Sequence, residues 1–426
     1  MRRILIKNTN LISMDEKRNK VENNVDILIE NDKIIDIANN INSDALVIDG
    51  TGKYVLPGLI NAHCHIPMSL FKETVDGYPL KTWLEESIWP REAKLTAEDV
   101  YYASLLSFIE MIKTGTTTVN DHYFFQDEII KASREAGIHL IETRVVMDSD
   151  SQGDNRYQEL IKFLNQYQSN NQLDLSIGIH GLYTNSEEYV KKICTLAKEK
   201  DLLVHMHFCE DNNEVETIKN NYKVDHPAEV LKKYFSNLKC VLAHGVKLDD
   251  VDIQIIKSMD IGVAHCPVTN LKLGSGIANV AKLKENNIPV ALGTDGPGSG
   301  SNFDMFEVMK FAALLQKGIH EEPLLMPAYE VLKMATIDGA KVLGLNHKIG
   351  SVEVGKQANL IILSLNNIKT QPVNDVIADI VYNANQNNIE HVIINGHLVL
   401  KDYKLCNLNE KDIIQKCSAI TKRIFN

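Results

Sequence analysis

The sequence predicts an α/β protein: a TIM-type (β/α)8 barrel joined to a composite β-sandwich built from both termini. Three observations predict it. Eight short apolar runs alternate with longer stretches of helical period, both ends of the chain are rich in short strands divided by turn residues, and histidines and carboxylates fall just past the ends of the apolar runs.

At the start, residues 4–6, 25–29, 33–37 and 46–48 read as strands broken at Asn31-Asp32 and at Gly50-Thr51-Gly52, which predicts a small β-meander. The eight runs of the barrel follow at 54–60, 116–120, 139–147, 176–179, 202–206, 241–243, 261–264 and 289–292. Residues 148–154 form a polar βα loop. At the far end, strands are expected at 359–363, 379–382, 391–394 and 398–400, the last two joined by Asn395-Gly396, a strong hairpin dipeptide. The chain thus divides into 1–56 and 356–426, the two parts of the sandwich, and 57–355, the catalytic barrel.

Composition narrows the function. With 426 residues and 44% hydrophobic content the chain can bury a large core. It contains no run of about 18 or more apolar residues, and Lys7 and Asn8 follow the opening Met-Arg-Arg-Ile-Leu-Ile at once, so neither a membrane span nor a secretory leader is expected. Seven cysteines without a Cys-x-x-Cys pair fit a reducing cytoplasm. A net charge of -11 argues against a nucleic-acid partner, whose phosphates call for basic surface, and leaves a small molecule or a protein.

The chemistry sits at the strand ends. His63-Cys64-His65 follows the first run, His180 ends the fourth, His205-Met206-His207 the fifth with Glu210 three residues on, His244 the sixth, His265 the seventh, and Thr294-Asp295 the eighth. A His-x-His pair on an extended segment puts both imidazoles on one face, and a barrel gathers its strand ends into one ring. His63, His65, His207 and Asp295 can therefore hold one divalent metal per chain with a position left for water; zinc is the first choice and iron or manganese also suit these ligands. His207 is chosen over His205 because it lies nearer the strand end, leaving His205 as a buried supporting histidine. Glu210, beside the metal, is placed to shuttle protons.

Pro57-Gly58, Asn61-Ala62-His63-Cys64-His65, His207-x-x-Glu210, Leu242-Ala243-His244-Gly245 and Gly293-Thr294-Asp295-Gly296 together resemble the amidohydrolase superfamily, in its adenosine and chlorohydrolase-like deaminase branch, over nearly the whole chain. Members with two metals carry a carboxylated Lys at the end of strand four; Ser176 to Tyr183 contains no Lys, which implies a mononuclear site. Met68, Leu80 to Leu84 and Ile88 to Glu92 are similar to the substrate lid of the 5'-methylthioadenosine/S-adenosylhomocysteine deaminases. That resemblance implies Trp83 over the adenine or thio-substituent, Glu92 and His180 on the ribose, and Arg144 and Arg156 at the far end of the substrate.

The expected reaction is hydrolytic deamination of an adenosine-type nucleoside by a metal-bound hydroxide. Asp295 takes the water proton, His244 orients the water, and Glu210 protonates the ring nitrogen, so that Glu210 and Asp295 both meet the substrate. Competing readings are the same chemistry on guanine, cytosine or a triazine, and a metal-binding barrel without turnover. The resemblance also allows a homo-oligomer, for which the sequence carries no interface signature.

Overall fold

The structure, a computed structural model, describes residues 2–74 and 76–425. Five strands precede the barrel: β1 (Arg3–Leu11), β2 (Glu22–Glu30), β3 (Lys33–Ala38), β4 (Leu46–Asp49) and β5 (Tyr54–Pro57). Eight make the barrel: β6 (Leu59–Cys64), β7 (Thr116–Asp121), β8 (His139–Val146), β9 (Leu173–Gly181), β10 (Leu203–Phe208), β11 (Cys240–His244), β12 (Ile261–His265) and β13 (Val290–Leu292). Four follow it: β14 (Leu360–Leu363), β15 (Ile389–Ile394), β16 (His397–Lys401) and β17 (Lys404–Leu405).

The two flanks form one nine-stranded mixed sheet, ordered β17-β16-β15-β14-β5-β1-β2-β3 with β4 added on β1. Its core draws Ile4, Ile27 and Ile34 from one end of the chain and Leu360, Ile362 and Ile393 from the other. The expected meander stops after three strands, because β4 pairs in parallel with β1. The crossover between them is tied down where the Ile41 N–H donates to the buried Asp26 carboxylate at 2.8 Å, and the turnabout brings Ile48 into the core of Ile4 and Ile6.

The first expected barrel run also divides. Residues 54–57 belong to the sheet, where β5 pairs with β14, and only at Leu59 does the barrel begin. Gly58 is the hinge: a Cβ there would lie 2.1 Å from the Thr117 side chain. A second correction falls at 379–382, expected as a strand and found as the helix Val376–Tyr382. The Asp375 carboxylate caps it by accepting the N–H groups of Ile377 and Ala378, and Ile377, Ile380 and Val381 share one buried face at helical spacing. The hairpin at Asn395-Gly396 forms as expected, both residues taking positive φ (49° and 67°). Beyond β17 the chain leaves the sheet, and the helix Glu410–Phe425 lies against Ala97–Lys113, held by the Arg423–Asp99 and Lys113–Glu410 ion pairs.

β6 to β13 run parallel in chain order, and the fold's chemistry depends on how the ring closes. Asp295 N–H donates to the His63 carbonyl at 3.1 Å, Thr294 N–H donates to Asn61 Oδ1 at 3.1 Å, and Asn61 Nδ2 returns a bond to Thr294 Oγ1 at 2.7 Å. Inside, a small-residue layer of Ile60, Ala62, Ile141, Val241, Ala264 and Ala291 packs on Ala340 and Val342. A buried polar group of Asn120, Thr143, Ser176 and His205 joins four successive strands beneath the site.

Asn61→Ala leaves the buried Thr294 N–H without its partner. We expect a loss of about 2 to 3 kcal/mol, the scale of stranded buried polar groups, read from urea unfolding of metal-free protein. A change under about 0.5 kcal/mol would show that closure is carried elsewhere.

Candidate active site

His63 and His65 lie on and just past the end of β6 with both rings turned inward, as the alternation of an extended segment requires. His207 comes from β10, His244 from the end of β11, and Asp295 from the turn after β13. His244 (φ 75°) and Asp295 (φ 59°) both sit in left-handed backbone, which points their side chains back over the barrel mouth.

Donor atoms of His63, His207, His244 and Asp295 all lie within 4.8 Å of one another. Asp295 Oδ1 is 3.3 Å from His63 Nε2 and 3.0 Å from His65 Nε2, and His65 Nε2 is 3.2 Å from His207 Nε2. A tetrahedral zinc ion with ligands at about 2.0–2.2 Å separates its ligand atoms by roughly 3.3–3.5 Å, so these spacings suit an ion between them.

Hydrogen bonds also select the ring nitrogens. His65 Nδ1–H donates to the His122 carbonyl at 2.6 Å, His207 Nδ1–H to the His180 carbonyl at 2.7 Å, and His244 Nδ1–H to Asn270 Oδ1 at 3.0 Å. Each turns its Nε2 toward the centre. His63 Nε2 and His244 Nε2 are buried with no hydrogen-bond partner among the described residues. His63 Nδ1 lies 2.8 Å from His205 Nε2, so His205 supports the ring of His63 from below. Orphaned inward-facing nitrogens fit a group that coordinates them.

Electrostatics separate the carboxyl groups. Burial raises Asp295, but the imidazoles of His65 and His63 against its carboxylate prevail and hold it well below the usual carboxylate range. Burial, reinforced by Asp295 and Asp211, drives Glu210 well above that range. Glu210 Oε2 lies 3.6 Å from His244 Nε2, and its Oε1 is unpaired. Burial pushes His63 down to about 3 and His207 well below its ordinary value, so both are neutral. Burial would lower His65 too, yet the hydrogen bond and charge of Asp295, the bond to the His122 carbonyl and the charge of Asp121 together outweigh this and raise it to about 9.

The cluster forms the floor of a cavity of about 690 Å³, in the range of small-molecule sites. Trp83, Glu92, Arg144, Arg156, His180 and Glu210 all line it. Trp83 belongs to the helical segment 80–92, whose middle turn Trp83–Ile88 is π-helical, a widening frequent at functional sites. Its buried ring packs beside Gly298, and Nε1 has no partner among the described residues. Tyr123 donates its hydroxyl to Glu92 at 2.5 Å. Arg91, next to Glu92, turns away and stacks on Phe425 at 4.8 Å. His180 shares a hydrogen bond of 3.1 Å with Thr184 Oγ1, and burial lowers it to about 4. Arg144 pairs with Glu159, while Arg156 makes two 2.5 Å bonds to Asp150 and one of 3.0 Å to the Met147 carbonyl.

The motif reading overlooked His122. It directly follows β7, is buried, lines the cavity, and places its ring centroid 4.6 Å from that of His207. The rule that found His180 and His265, a histidine ending a barrel strand, would have found it. Tyr123 and Ser299, which donates to Asp295 Oδ2 at 2.9 Å, carry no local signal, since only tertiary packing brings them in.

A model of the amidohydrolase family matches residues 54–399. The chain belongs to that family. This amidohydrolase is 41% identical over 407 residues to a 5-methylthioadenosine/S-adenosylhomocysteine deaminase of Caldanaerobacter subterraneus subsp. tengcongensis, covering 93% of each chain. It is 37% identical to a 5'-deoxyadenosine deaminase of Methanothermobacter thermautotrophicus, over 92% of this chain and 93% of that one. Among solved structures it is similar to an adenosine deaminase from Xanthomonas campestris with bound zinc: TM-score 0.95, 28% identity, 99% of this chain and 98% of that one. Among the described residues of this amidohydrolase, no helix is long and apolar enough to cross a membrane.

With His65 raised to about 9, the metal-free site carries a proton there at neutral pH, which a divalent ion taking His65 Nε2 as a ligand would have to displace. Affinity should therefore increase with pH up to about 9 and then level off. Competition against a chelator is expected to show about one zinc equivalent per chain, held about tenfold tighter at pH 8 than at pH 7. An affinity flat across that interval would show His65 to be neutral in the free site.

Proposed function

We propose that the protein is a metal-dependent hydrolase that removes the exocyclic amino group of adenosine-type nucleosides, 5'-methylthioadenosine, S-adenosylhomocysteine and adenosine among them, to give the inosine analogue and ammonia. The single observation that carries this reading is the pairing of two buried carboxyl groups in one cavity: Glu210, 3.6 Å from His244 and pushed by burial toward its protonated form, and Asp295, against His63 and His65 and held toward its ionised form. Full-length relatives named for deamination of this substrate class support it.

We assign the metal to His63, His65, His207 and Asp295, with residues 57–355 as the catalytic unit. One divalent ion is expected there, and zinc is favoured by the zinc of the similar adenosine deaminase. When bound, such an ion lowers the pKa of a coordinated water into the neutral range. The protein's own groups do the rest. Asp295, ionised, accepts the proton of the attacking water. His244, its Nδ1–H fixed on Asn270, offers Nε2 to orient that water. As C6 of the purine is attacked, electron density moves to the neighbouring ring nitrogen, and Glu210, already protonated, donates its proton there. The proton held on Asp295 passes to the departing ammonia as the C6–N bond breaks, and loss of the hydroxyl proton from C6 forms the carbonyl and supplies the proton that restores Glu210.

The cavity walls supply selection. Glu92, with Tyr123 on one carboxylate oxygen, and His180 are read as ribose contacts. Trp83 covers the base or the 5' thio-substituent from the helical segment above. Arg144 and Arg156 line the far end, where a longer 5' substituent would reach them, each already paired with a carboxylate.

Two measurements test the proposal. Glu210→Gln keeps the shape of the site but cannot supply the proton; kcat is expected to fall by about 10²-fold or more, the scale of lost general acid catalysis, with metal content unchanged. Near-normal turnover would remove Glu210 from the mechanism, and loss of metal would make it a ligand. For substrate class, kcat/KM for 5'-methylthioadenosine should far exceed that for free adenine, because ribose contacts persist in the transition state. Equal values, or guanine as the best substrate, would overturn the assignment of Glu92 and His180.

A further inference from the structure

Cys209 and Glu210 join β10 to the helix Asn212–Tyr222. Cys209 takes φ 53°, a left-handed conformation that a residue bearing a side chain holds where its surroundings impose it. Glu214, in the first turn of that helix, supplies the restraint. One of its carboxylate oxygens accepts the Cys209 N–H at 3.0 Å, and the other accepts the Glu210 N–H at 2.7 Å. The clamp is itself fixed: Glu214 is 4% exposed, and its own N–H donates to the Asp211 carboxylate at 2.8 Å. The far side of the turn is tied to the next strand's loop, where Lys247 N–H donates to the Cys209 carbonyl at 2.8 Å.

Glu210 therefore leaves a turn whose backbone is held on both sides, and its carboxyl reaches the cavity floor. Glu214 does not line that cavity. A carboxyl group whose two oxygens accept two successive backbone N–H groups offers a pair of acceptors that an apolar side chain lacks and an amide reproduces only in part. We propose that Glu214 is a positioning residue of this enzyme: its bidentate hold on the Cys209 and Glu210 N–H groups aims the Glu210 carboxyl at the ring nitrogen of the substrate. The inference rests on the reading of Glu210 as the acid.

The test places Glu214→Ala and Glu214→Gln in the native enzyme and in the Glu210→Gln background, measuring kcat, KM and metal content for 5'-methylthioadenosine. In the native background Glu214→Ala is expected to lower kcat by about tenfold or more, with KM within about twofold and metal retained. Glu214→Gln, whose single amide oxygen keeps one acceptor, should recover part of the loss. In the Glu210→Gln background Glu214→Ala should change kcat by less than about twofold, because the group it aims is already disabled. An equal loss in both backgrounds would assign Glu214 a general structural role and overturn the proposal, as would native kcat in Glu214→Ala. Normal turnover by Glu210→Gln alone would sink the acid reading together with this inference, and it is seen without any Glu214 variant. Should Glu214→Ala fail to fold, the Glu214→Gln pair carries the same comparison.

Discussion

A carboxylate buried among imidazoles is the interaction on which the centre of this protein depends. Asp295 is 5% exposed and ionised, a state that burial alone would make very costly. His63 and His65 stabilise it from one side and Ser299 from the other. Its position comes from the backbone, because the same turn that carries it donates its N–H to the His63 carbonyl and shuts the barrel. Closing the ring and assembling the site are therefore one structural event.

Around that carboxylate, the protein fixes orientation with groups that cannot themselves titrate. Backbone carbonyls of His122 and His180 hold two of the imidazoles by Nδ1, and the Asn270 amide holds a third. Because these acceptors belong to the strand ends and to the helix Pro267–Lys272 that follows β12, ring orientation inherits the rigidity of the barrel. The low-dielectric surroundings then do opposite things to chemically similar groups. Asp295 has partners for its charge and is held toward its ionised form, while Glu210, lining the same cavity with one oxygen unpaired, is pushed toward its protonated form.

The outer wall follows different rules. Trp83 and Glu92 stand on a helical segment that widens into a π-turn, and Arg144 and Arg156 are paired with acidic residues of a neighbouring helix and loop. The floor is built at the strand ends, and the wall adds helices and loops to residues of the strands themselves, Arg144 of β8 and His180 of β9, a division by which one barrel serves many substrates.

Much of this was legible in the residues. Short apolar runs alternating with stretches of helical period located the barrel strands, the first of them only from Leu59 onward, and the rule that chemistry lies past strand ends located His63, His65, His180, His207, His244 and Asp295. Local signals failed where two readings of one segment differ only in what packs against it. Residues 379–382 are β-branched and apolar enough for a strand, yet the Asp375 cap and a buried face make them helical. Residues 46–48 have the pattern of a meander strand, but their partner was decided by a crossover anchored on Asp26. The sequence by itself determined which residues could bind a metal and on which strand ends they fall, because side-chain chemistry and backbone period are local properties. Only the tertiary structure decided which nitrogen each imidazole presents, which carboxyl keeps its proton, and that Glu214 holds the turn beneath Glu210, since each depends on burial and on partners from distant parts of the chain.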